Sequence, residues 1–330
     1  MKTAPPTETS YTVREMTSAD WPLVQAGFAH SFLDCHAPET WAWKFRTDDP
    51  NAWRGWVACH PQDGVIAFLG ATAHRAQLNG AEIVVLHGSD SFSHPQWRNG
   101  GRHAPYVQTE TAFQAHQLGF ATLGLGFGLN RRMKLGFLTG NLQPFQGGAW
   151  LQSPVPPNTA QPGCSVQLCI THFEHPEWTD LWAQRSLQVR WSLVRDQTFL
   201  AWRFSPRQGH PYHCFALRSA TDSVPLGYIV LRLTSDTQAV LIDCILPTQP
   251  QQVRDAWIQL ICWLNRQGIA HVITYMANAC PEQLSLRHMG WSTCQPPLPV
   301  LPGFILYNSR YNTLDINQHY ALTLADTDLY

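Results

Sequence analysis

The sequence predicts an α+β (α/β) protein made of two similar domains in tandem. Strand-like and helical segments alternate in both halves of the chain, and a proline-rich segment lies between the halves. Matching residues also recur in the same order at a spacing of about 155 residues. A chain of 330 residues is long for a single core, so two domains are expected.

An internal repeat sets the predicted domain boundaries. Three pairs of matching positions occur in the same order: Trp43 to Phe45 with Trp202 to Phe204, Asp90 with Asp243, and Leu135 to Phe137 with Met289 to Trp291. A period of this length is typical of duplicated domains rather than of a solenoid. We therefore expect domains at 1–150 and 164–330. The proline-rich segment 151–163 is expected to be a semi-rigid linker that cannot pair in a central strand.

The first half contains two predicted helices among several predicted strands. Strands are expected at Tyr11 to Glu15, Gly55 to Cys59, Gly64 to Ala71 and Glu82 to Leu86. Ser18 to Asp20 predicts the start of a helix through Ser31, and Leu78 to Gly80 predicts a tight turn. A helix over Ala104 to Gln117 and a glycine-rich apolar strand over Phe120 to Phe127 follow.

The second half repeats this pattern with its own elements. Strands are expected at Ser165 to Ile170, Tyr212 to Arg218, Leu226 to Leu233 and Ala239 to Ile245. A helix is expected over Gln251 to Gln267, with apolar residues at helical spacing. That apolar stripe indicates core packing rather than a ligand site.

Composition and charge restrict the class of protein. A hydrophobic content of 44%, with 14 Trp and 15 Phe, is typical of a globular chain. The formal net charge of −1 gives no general attraction to nucleic acid or to an anionic membrane, so neither is expected as a partner. No apolar run reaches the roughly 18 residues that a membrane span requires.

The cysteines indicate reduced, buried thiols. All nine are scattered without a Cys-x-x-Cys pair, and only Cys35-His36 and Cys59-His60 bring cysteine next to histidine. Adjacent residues rarely ligate one metal together, so we expect no metal. The segment Met1 to Ser10 lacks the apolar region of a signal peptide. We therefore expect a cytoplasmic protein.

The segment Asp90 to His103 predicts a strand end, an anion-binding turn and a helix start. Gly100 and Gly101 allow the backbone to approach a ligand without a Cβ clash. Backbone N–H groups at the start of the following helix favour a phosphate. A Gly-Gly turn after a strand is, by itself, more often an ordinary surface turn.

This turn resembles the pyrophosphate-binding motif of the GNAT acyltransferase superfamily, Arg/Gln-x-x-Gly-x-Gly/Ala. Arg98, Gly101 and the preceding Pro95 to Trp97 match the motif, whereas His103 stands where the family prefers Gly or Ala. A helix, a glycine-rich strand, Asn130 and a Leu135 to Phe137 element follow in the order that the family has.

The resemblance implies two tandem GNAT folds, each a mixed, mostly antiparallel twisted sheet flanked by helices. It also implies an N-acyltransferase that uses acetyl-CoA or a longer acyl-CoA. An acyl carrier protein is an alternative donor. The acceptor would be a primary amine of a small molecule, amino sugar, amino acid or peptide.

The resemblance further implies that the strand end and the turn bind the cosubstrate. The expected binding residues are Phe92, Ser93, Arg98, Asn99, Gly100, Gly101, Arg102, His103 and Asn130. A backbone N–H near Phe92 or Ser93 would stabilise the oxyanion of the tetrahedral intermediate.

A carboxylate base is expected on the strand before the turn. Asp90 is preferred because it is close to the turn, and Glu82 is second. An unbroken strand would point both to one face, whereas a β-bulge would change that parity. Each carboxylate is equally suited to capping a turn or pairing with an arginine. His94 and His87 are alternative proton carriers because histidine titrates near neutrality.

The two halves are not chemically equivalent. Thr248 to Gln252 replace Arg98 to Arg102 and contain no glycine, so acyl-CoA is expected only in the N-terminal half, with a degenerate C-terminal half closing the acceptor cleft. The segment after Asn130 lacks the tyrosine acid of many family members. An aminoacyl-tRNA-dependent transferase of the tandem type and a non-catalytic acyl-CoA-binding protein remain alternatives.

Overall fold

The computed structural model describes residues 11–32, 37–99, 101–129, 133, 136, 142–157, 163–206, 211–221, 223–297 and 300–327. The chain forms two compact units. The first comprises Met1–His74, Val84–Gly126 and Phe304–Arg310, and the second comprises Arg75–Ile83, Phe127–Gly303 and Tyr311–Tyr330. Each unit takes chain from both halves of the sequence, so the units do not coincide with the predicted ranges 1–150 and 164–330.

The strands and helices predicted from the sequence are present, and further strands and helices that were not predicted lie between and after them. The strands are β1 (Thr12–Glu15), β2 (Trp53–His60), β3 (Gly64–Leu78), β4 (Ala81–Ser93), β5 (Leu123–Leu129), β6 (Gln143–Pro144), β7 (Gly148–Pro154), β8 (Val166–Ile170), β9 (Trp191–Leu193), β10 (His213–Ser219), β11 (Pro225–Leu233), β12 (Gln238–Ile245), β13 (His271–Ala277), β14 (Ser292–Thr293) and β15 (Val300–Leu306). The α-helices of the described residues are α1 (Trp21–Phe32), α2 (Pro38–Phe45), α3 (Pro105–Ala115), α4 (Glu177–Ser186), α5 (Gln197–Arg203), α6 (Pro250–Arg266), α7 (Pro281–His288) and α8 (Thr313–His319).

The sheet of the first unit has the strand order β1-β2-β3-β4-β5-β15. Strands β4 and β5 are parallel, whereas β1 with β2 and β2 with β3 are antiparallel. Asn79 and Gly80 join β3 to β4 with φ angles of 51° and 81°. Positive φ at both positions is typical of a two-residue hairpin turn, which confirms the predicted tight turn.

Apolar clusters lie on both faces of this sheet. Phe68 packs with Phe45 of α2 in one cluster, and Leu69 packs with Phe113 of α3 in another. Because Phe68 and Leu69 are adjacent along β3, their side chains point to opposite faces. Phe45 and Phe68 are fully buried, and burying one such side chain contributes about 1.5–3 kcal/mol.

The sheet of the second unit has the strand order β14-β7-β13-β12-β11-β10-β8. Only β12 and β13 pair in parallel, and the other pairs are antiparallel. Both sheets are therefore mixed and mostly antiparallel, as predicted. Strand β7 lies between β14 and β13, and it includes residues 151–154 of the segment expected to be a linker. That expectation is wrong for these residues, because Pro154 stands at the strand end, where a missing N–H is tolerated.

Helix α6 covers the second sheet in agreement with its apolar stripe. Pro250 begins the helix, a position where the absent N–H costs no helical hydrogen bond. The five stripe residues are all buried: Val253, Trp257, Leu260, Ile261 and Leu264. Within the described residues, none of the helices combines the length and the apolarity needed to cross a bilayer.

Candidate functional site

Parallel pairing between β4 and β5 stops partway along β4. The ladder runs from the Val85–Leu123 pair to the Gly88–Gly126 pair. Strand β4 continues to Ser93, and within the described residues this stretch has no partner in β5. No described heavy atom lies within 4 Å of a Cβ added at Gly126. The edge of β4 beyond Gly88 therefore leaves room for a chain-like ligand, and we call this opening the first wedge.

The side chains of β4 do not alternate regularly. Leu86 belongs to the cluster on the α3 face, whereas Asp90 contacts Lys44 of α2 and Phe92 packs in the α1 and α2 cluster. These three residues are an even number apart, so an unbroken strand would point them to one face. The alternation shifts between Leu86 and Asp90, as it does at a β-bulge. The even spacing of Glu82 and Asp90 therefore does not place both on one face.

The turn after β4 is compact and ends at the start of α3. Two single-turn helices, Pro95–Trp97 and Gly101–His103, precede Pro105. Gly101 is exposed with φ 56°, and none of the described heavy atoms lies within 4 Å of its added Cβ. Ala104 at the N-cap of α3 has no side-chain acceptor for the first N–H groups of the helix. An anion can therefore approach this helix start.

The other predicted binding residues differ in what they contact. Asn99 and His103 are exposed beside the turn. Gly100, Asn130 and the side chain of Arg102 lie outside the described residues. The Arg98 guanidinium donates to the Ser93 carbonyl at 3.0 Å and to the Ser31 carbonyl at 3.2 Å. Arg98 thus ties the turn to the end of α1 while remaining exposed.

Phe92 and Ser93, at the end of β4, have different environments. The Phe92 ring is buried in the core, and a Cβ added at Gly27 would lie 2.4 Å from its Cζ. The Ser93 hydroxyl oxygen is buried and has no hydrogen-bond partner among the described residues. An unpartnered buried hydroxyl at this edge suits a polar atom of a ligand in the first wedge.

The predicted carboxylate bases are both in ion pairs. Asp90 accepts from Lys44 Nζ at 2.8 Å, with side-chain exposures of 17% and 11%. Glu82 pairs with Arg75 at 2.9 Å, and both side chains are more than half exposed. At about 3.3 Å per residue, Glu82 lies roughly 26 Å along β4 from Asp90. Only Asp90 is therefore near the turn.

His94 has a structural role at the start of the turn. Its Nδ1 accepts from the backbone N–H of Gln96 at 3.3 Å, and its ring stacks on His30 with centroids 4.5 Å apart. Burial, followed by the neighbouring charges of His30 and Arg98, lowers the pKa of His94. A neutral ring suits the acceptor role in this cap.

Two contacts at this site were not predicted. Lys44 lies in the repeated Trp-Lys-Phe element, and its ion pair with Asp90 joins α2 to β4. Tyr307 enters the first unit from the end of β15, and its hydroxyl donates to Gln114 Oε1 of α3 at 2.8 Å. Burial raises the pKa of Tyr307 well above its ordinary value. No local sequence signal links Tyr307 to α3, because the contact spans most of the chain.

Strands β12 and β13 of the second unit also stop pairing partway. Their parallel ladder runs from Gln238–His271 to Val240–Ile273, although β12 continues to Ile245. We call the space beyond this ladder the second wedge. The chain itself occupies it: Ala277 N donates to Leu322 O at 2.8 Å, and Met276 forms a bridge with Thr323.

A buried polar network completes the second wedge. Arg195 pairs with Asp243 at 3.0 Å and with Asp326 at 2.9 Å, and Thr323 Oγ1 donates to Asp243 Oδ1 at 2.8 Å. Tyr228 also donates to Asp243 at 2.8 Å. Burial opposes the charge of Arg195, but the carboxylates of Asp326 and Asp243 raise its pKa overall. Asp243, the repeat counterpart of Asp90, thus accepts hydrogen bonds from Arg195, Tyr228 and Thr323.

The described residues contain no group of three or more His, Cys, Asp or Glu side chains arranged to hold a metal ion.

Similar structures share this architecture. No family model and no curated protein matches the sequence. A GCN5-related N-acetyltransferase from Anabaena variabilis ATCC 29413 has a TM-score of 0.66 at 12% identity, covering 91% of this chain and 73% of that chain. A conserved protein of unknown function from Enterococcus faecalis V583 gives the same values. A tandem GNAT protein from the clavulanic acid biosynthesis pathway has a TM-score of 0.53 at 11% identity, covering 91% of this chain and 99% of that chain.

Identities this low relate the folds rather than the activities. The resemblance of the sequence to GNAT proteins is confirmed at the level of the fold, since structures of GNAT N-acetyltransferases align with almost the whole chain. The protein therefore has a tandem GNAT fold, with two mixed sheets flanked by helices.

Proposed function

We propose that the protein is an acyl-CoA-dependent N-acyltransferase with its donor site in the first wedge. The observation that carries the proposal is the end of the β4–β5 ladder at Gly88–Gly126, followed by the open Gly101 turn at the start of α3. A chain-like arm fits along the unpaired edge of β4, and a pyrophosphate fits at the helix start. The two features are continuous along one strand and its turn.

The residues at the turn suit the chemical groups of acyl-CoA. The exposed backbone at Gly101 would hold the pyrophosphate, with Asn99 and His103 beside it. Ser93, whose buried hydroxyl has no partner in the described part of the chain, would bind a polar group of the pantetheine arm. Arg98 would keep the turn in place through its bonds to Ser93 and Ser31. The sequence motif also proposes three further acyl-CoA-binding residues: Gly100, Arg102 and Asn130.

The proposed reaction is direct attack of a primary amine on the thioester carbon. A C–N bond forms, the C–S bond breaks, and the amine loses one proton while the leaving thiolate gains one. The sequence expectation puts the oxyanion donor at a backbone N–H near Phe92 or Ser93, whereas an arm that runs from the turn along β4 would bring the thioester to the backbone N–H groups beside Gly88. The acyl group would be acetyl or a longer fatty acyl. The acceptor would be a small molecule, amino sugar, amino acid or peptide.

The structural relatives support this proposal. The Anabaena variabilis protein is described as an N-acetyltransferase, and the clavulanic acid pathway protein is described in a form without AcCoA. Shared fold supports shared chemistry only by analogy, so the site residues carry the argument.

The proposal is tested by binding and turnover with the full chain. Calorimetry with acetyl-CoA and longer acyl-CoA thioesters should give one bound molecule per chain. Thiol release with a panel of primary amines, including amino acids and amino sugars, should then identify the acceptor. Absence of binding by every thioester contradicts the proposal. Tight binding without thiol release from any amine indicates a non-catalytic acyl-CoA-binding protein.

A further inference from the structure

The proposed reaction needs a proton acceptor, and the predicted carboxylates suit that role poorly. Asp90 accepts from Lys44 Nζ at 2.8 Å, so one of its carboxylate oxygens is already occupied. Glu82 stands at the far end of β4 in an exposed pair with Arg75. His94 uses Nδ1 to cap the turn.

A pair of histidines lies on the α2 face of the sheet beside the first wedge. The rings of His74 on β3 and His87 on β4 have centroids 6.4 Å apart, and both residues are buried. His74 Nε2 is 2.8 Å from Thr72 Oγ1, which fixes the orientation of the His74 ring. Both residues belong to the first unit.

The position of His87 follows from the register of β4. It pairs with Leu125, next to the final Gly88–Gly126 pair of the parallel ladder. A pantetheine arm that starts at the turn after Ser93 and follows β4 would cover about 17 Å before it reaches Gly88. The thioester end of the arm would therefore arrive where His87 lies.

His87 and Asp90 are three residues apart on β4. Because the alternation of the β4 side chains shifts between Leu86 and Asp90, both side chains lie on the same face of the sheet. Leu86 points to the α3 face, so His87 points to the α2 face, and Asp90 reaches the same face through its contact with Lys44. Among the described residues, the charged and titratable groups near this region include His74 from β3, Asp90 from β4, Lys44 from α2, and Arg46, which follows α2 and donates to the Ala73 carbonyl beside His74.

We propose that His87 is the proton acceptor of the acyl transfer, with His74 and Thr72 orienting it and the Lys44–Asp90 pair holding the adjacent strand. This inference rests on the proposed function. As the amine nitrogen bonds to the thioester carbon, one N–H proton passes to the His87 imidazole. The C–S bond then breaks, and the same proton reaches the leaving thiolate, so His87 returns to its neutral form.

The test compares His87→Gln with the wild-type chain in acyl-CoA binding and in turnover with the best amine of the panel. Acyl-CoA affinity should be unchanged, while kcat should fall about 100-fold, the usual effect of losing a general base. Wild-type kcat/KM should decline at low pH as the imidazole gains a proton. His87→Gln should lack that decline and recover only at high pH, where the amine deprotonates unaided. His271→Gln, at an exposed strand start in the second unit, is the matched control and should behave as wild type.

A second variant separates chemistry from structure. His87→Ala should regain turnover when free imidazole is added, which a purely structural histidine would not allow. Wild-type turnover by His87→Gln, or a 100-fold loss in Asp90→Asn without a comparable loss in His87→Gln, would overturn the inference and leave the proposed function standing. Failure of the wild-type chain to bind any acyl-CoA would overturn both.

Discussion

The two wedges of this protein start from the same strand arrangement and end in opposite states. In the first unit the β4 edge beyond Gly88 has no β5 partner among the described residues, whereas in the second unit residues 322 and 323 pair with β13 beyond the ladder. A divergence of parallel strands leaves backbone groups that require partners. The comparison indicates that the same divergence of parallel strands is retained where the chain itself supplies those partners.

The aspartates at matching repeat positions show the same contrast. Asp90 pairs with Lys44 at a partly accessible site, whereas Asp243 is 2% exposed and accepts from Arg195, Tyr228 and Thr323. The first arrangement leaves a carboxylate near a ligand opening. The second converts the equivalent carboxylate into part of the core.

The largest expected effect comes from cutting the chain between its halves. Residues 1–150 lack the segment 304–310 that belongs to the first unit, and β5 would lose its neighbour β15. We expect this fragment to be unfolded or aggregated rather than to bind acyl-CoA, because an exposed strand edge promotes association. Circular dichroism and calorimetry of the purified fragment test this. A soluble, cooperatively folded fragment with wild-type affinity would show that the first unit folds and binds acyl-CoA without residues 304–310.

The next largest effect is expected at the buried network. Asp243→Asn removes the charge that balances Arg195, and breaking a buried ion pair costs about 3–5 kcal/mol. Asp90→Asn disrupts a single pair that is less deeply buried, so a smaller loss than for Asp243→Asn is expected. Urea unfolding of both variants measures the difference. Equal decreases in the free energy of unfolding would mean that Asp90 and Asp243 contribute equally to stability.

A smaller effect is expected for ligand binding at the turn. Gly101→Glu adds a side chain at φ 56° and a negative charge near the pyrophosphate, so acyl-CoA affinity should fall at least tenfold, about 1.4 kcal/mol. Gln249→Glu adds the same charge at the start of α6 in the second unit and is the matched control. Calorimetry should detect the loss only for Gly101→Glu. A comparable loss for Gln249→Glu would indicate binding at both halves.

The smallest effect concerns thiols near the second wedge. Burial raises the pKa values of Cys244 and Cys280 well above that of an ordinary thiol, so little thiolate forms at neutral pH. Both should resist iodoacetamide in the native protein and react after unfolding, as peptide mass spectrometry can measure. Rapid native alkylation would show that the filled wedge opens frequently.

The sequence by itself determined the features that depend on neighbouring residues. The apolar spacing of α6, the Asn79-Gly80 turn and the Gly101 turn before α3 were all predictable, because helix periodicity and positive φ are local properties. The repeat also indicated two similar sheets, and the glycine-free turn of the second half indicated that the halves differ in chemistry.

The tertiary structure alone decided which distant residues meet. Strand β7 joins the second sheet and β15 joins the first, although local patterns fit a linker or a strand of either unit equally well. The Lys44–Asp90 and Arg195–Asp243 pairs, the shifted alternation of β4 and the filling of the second wedge follow from that packing. Hydrophobic spacing specifies which face of an element is buried, whereas the partner that covers it is selected by the whole chain.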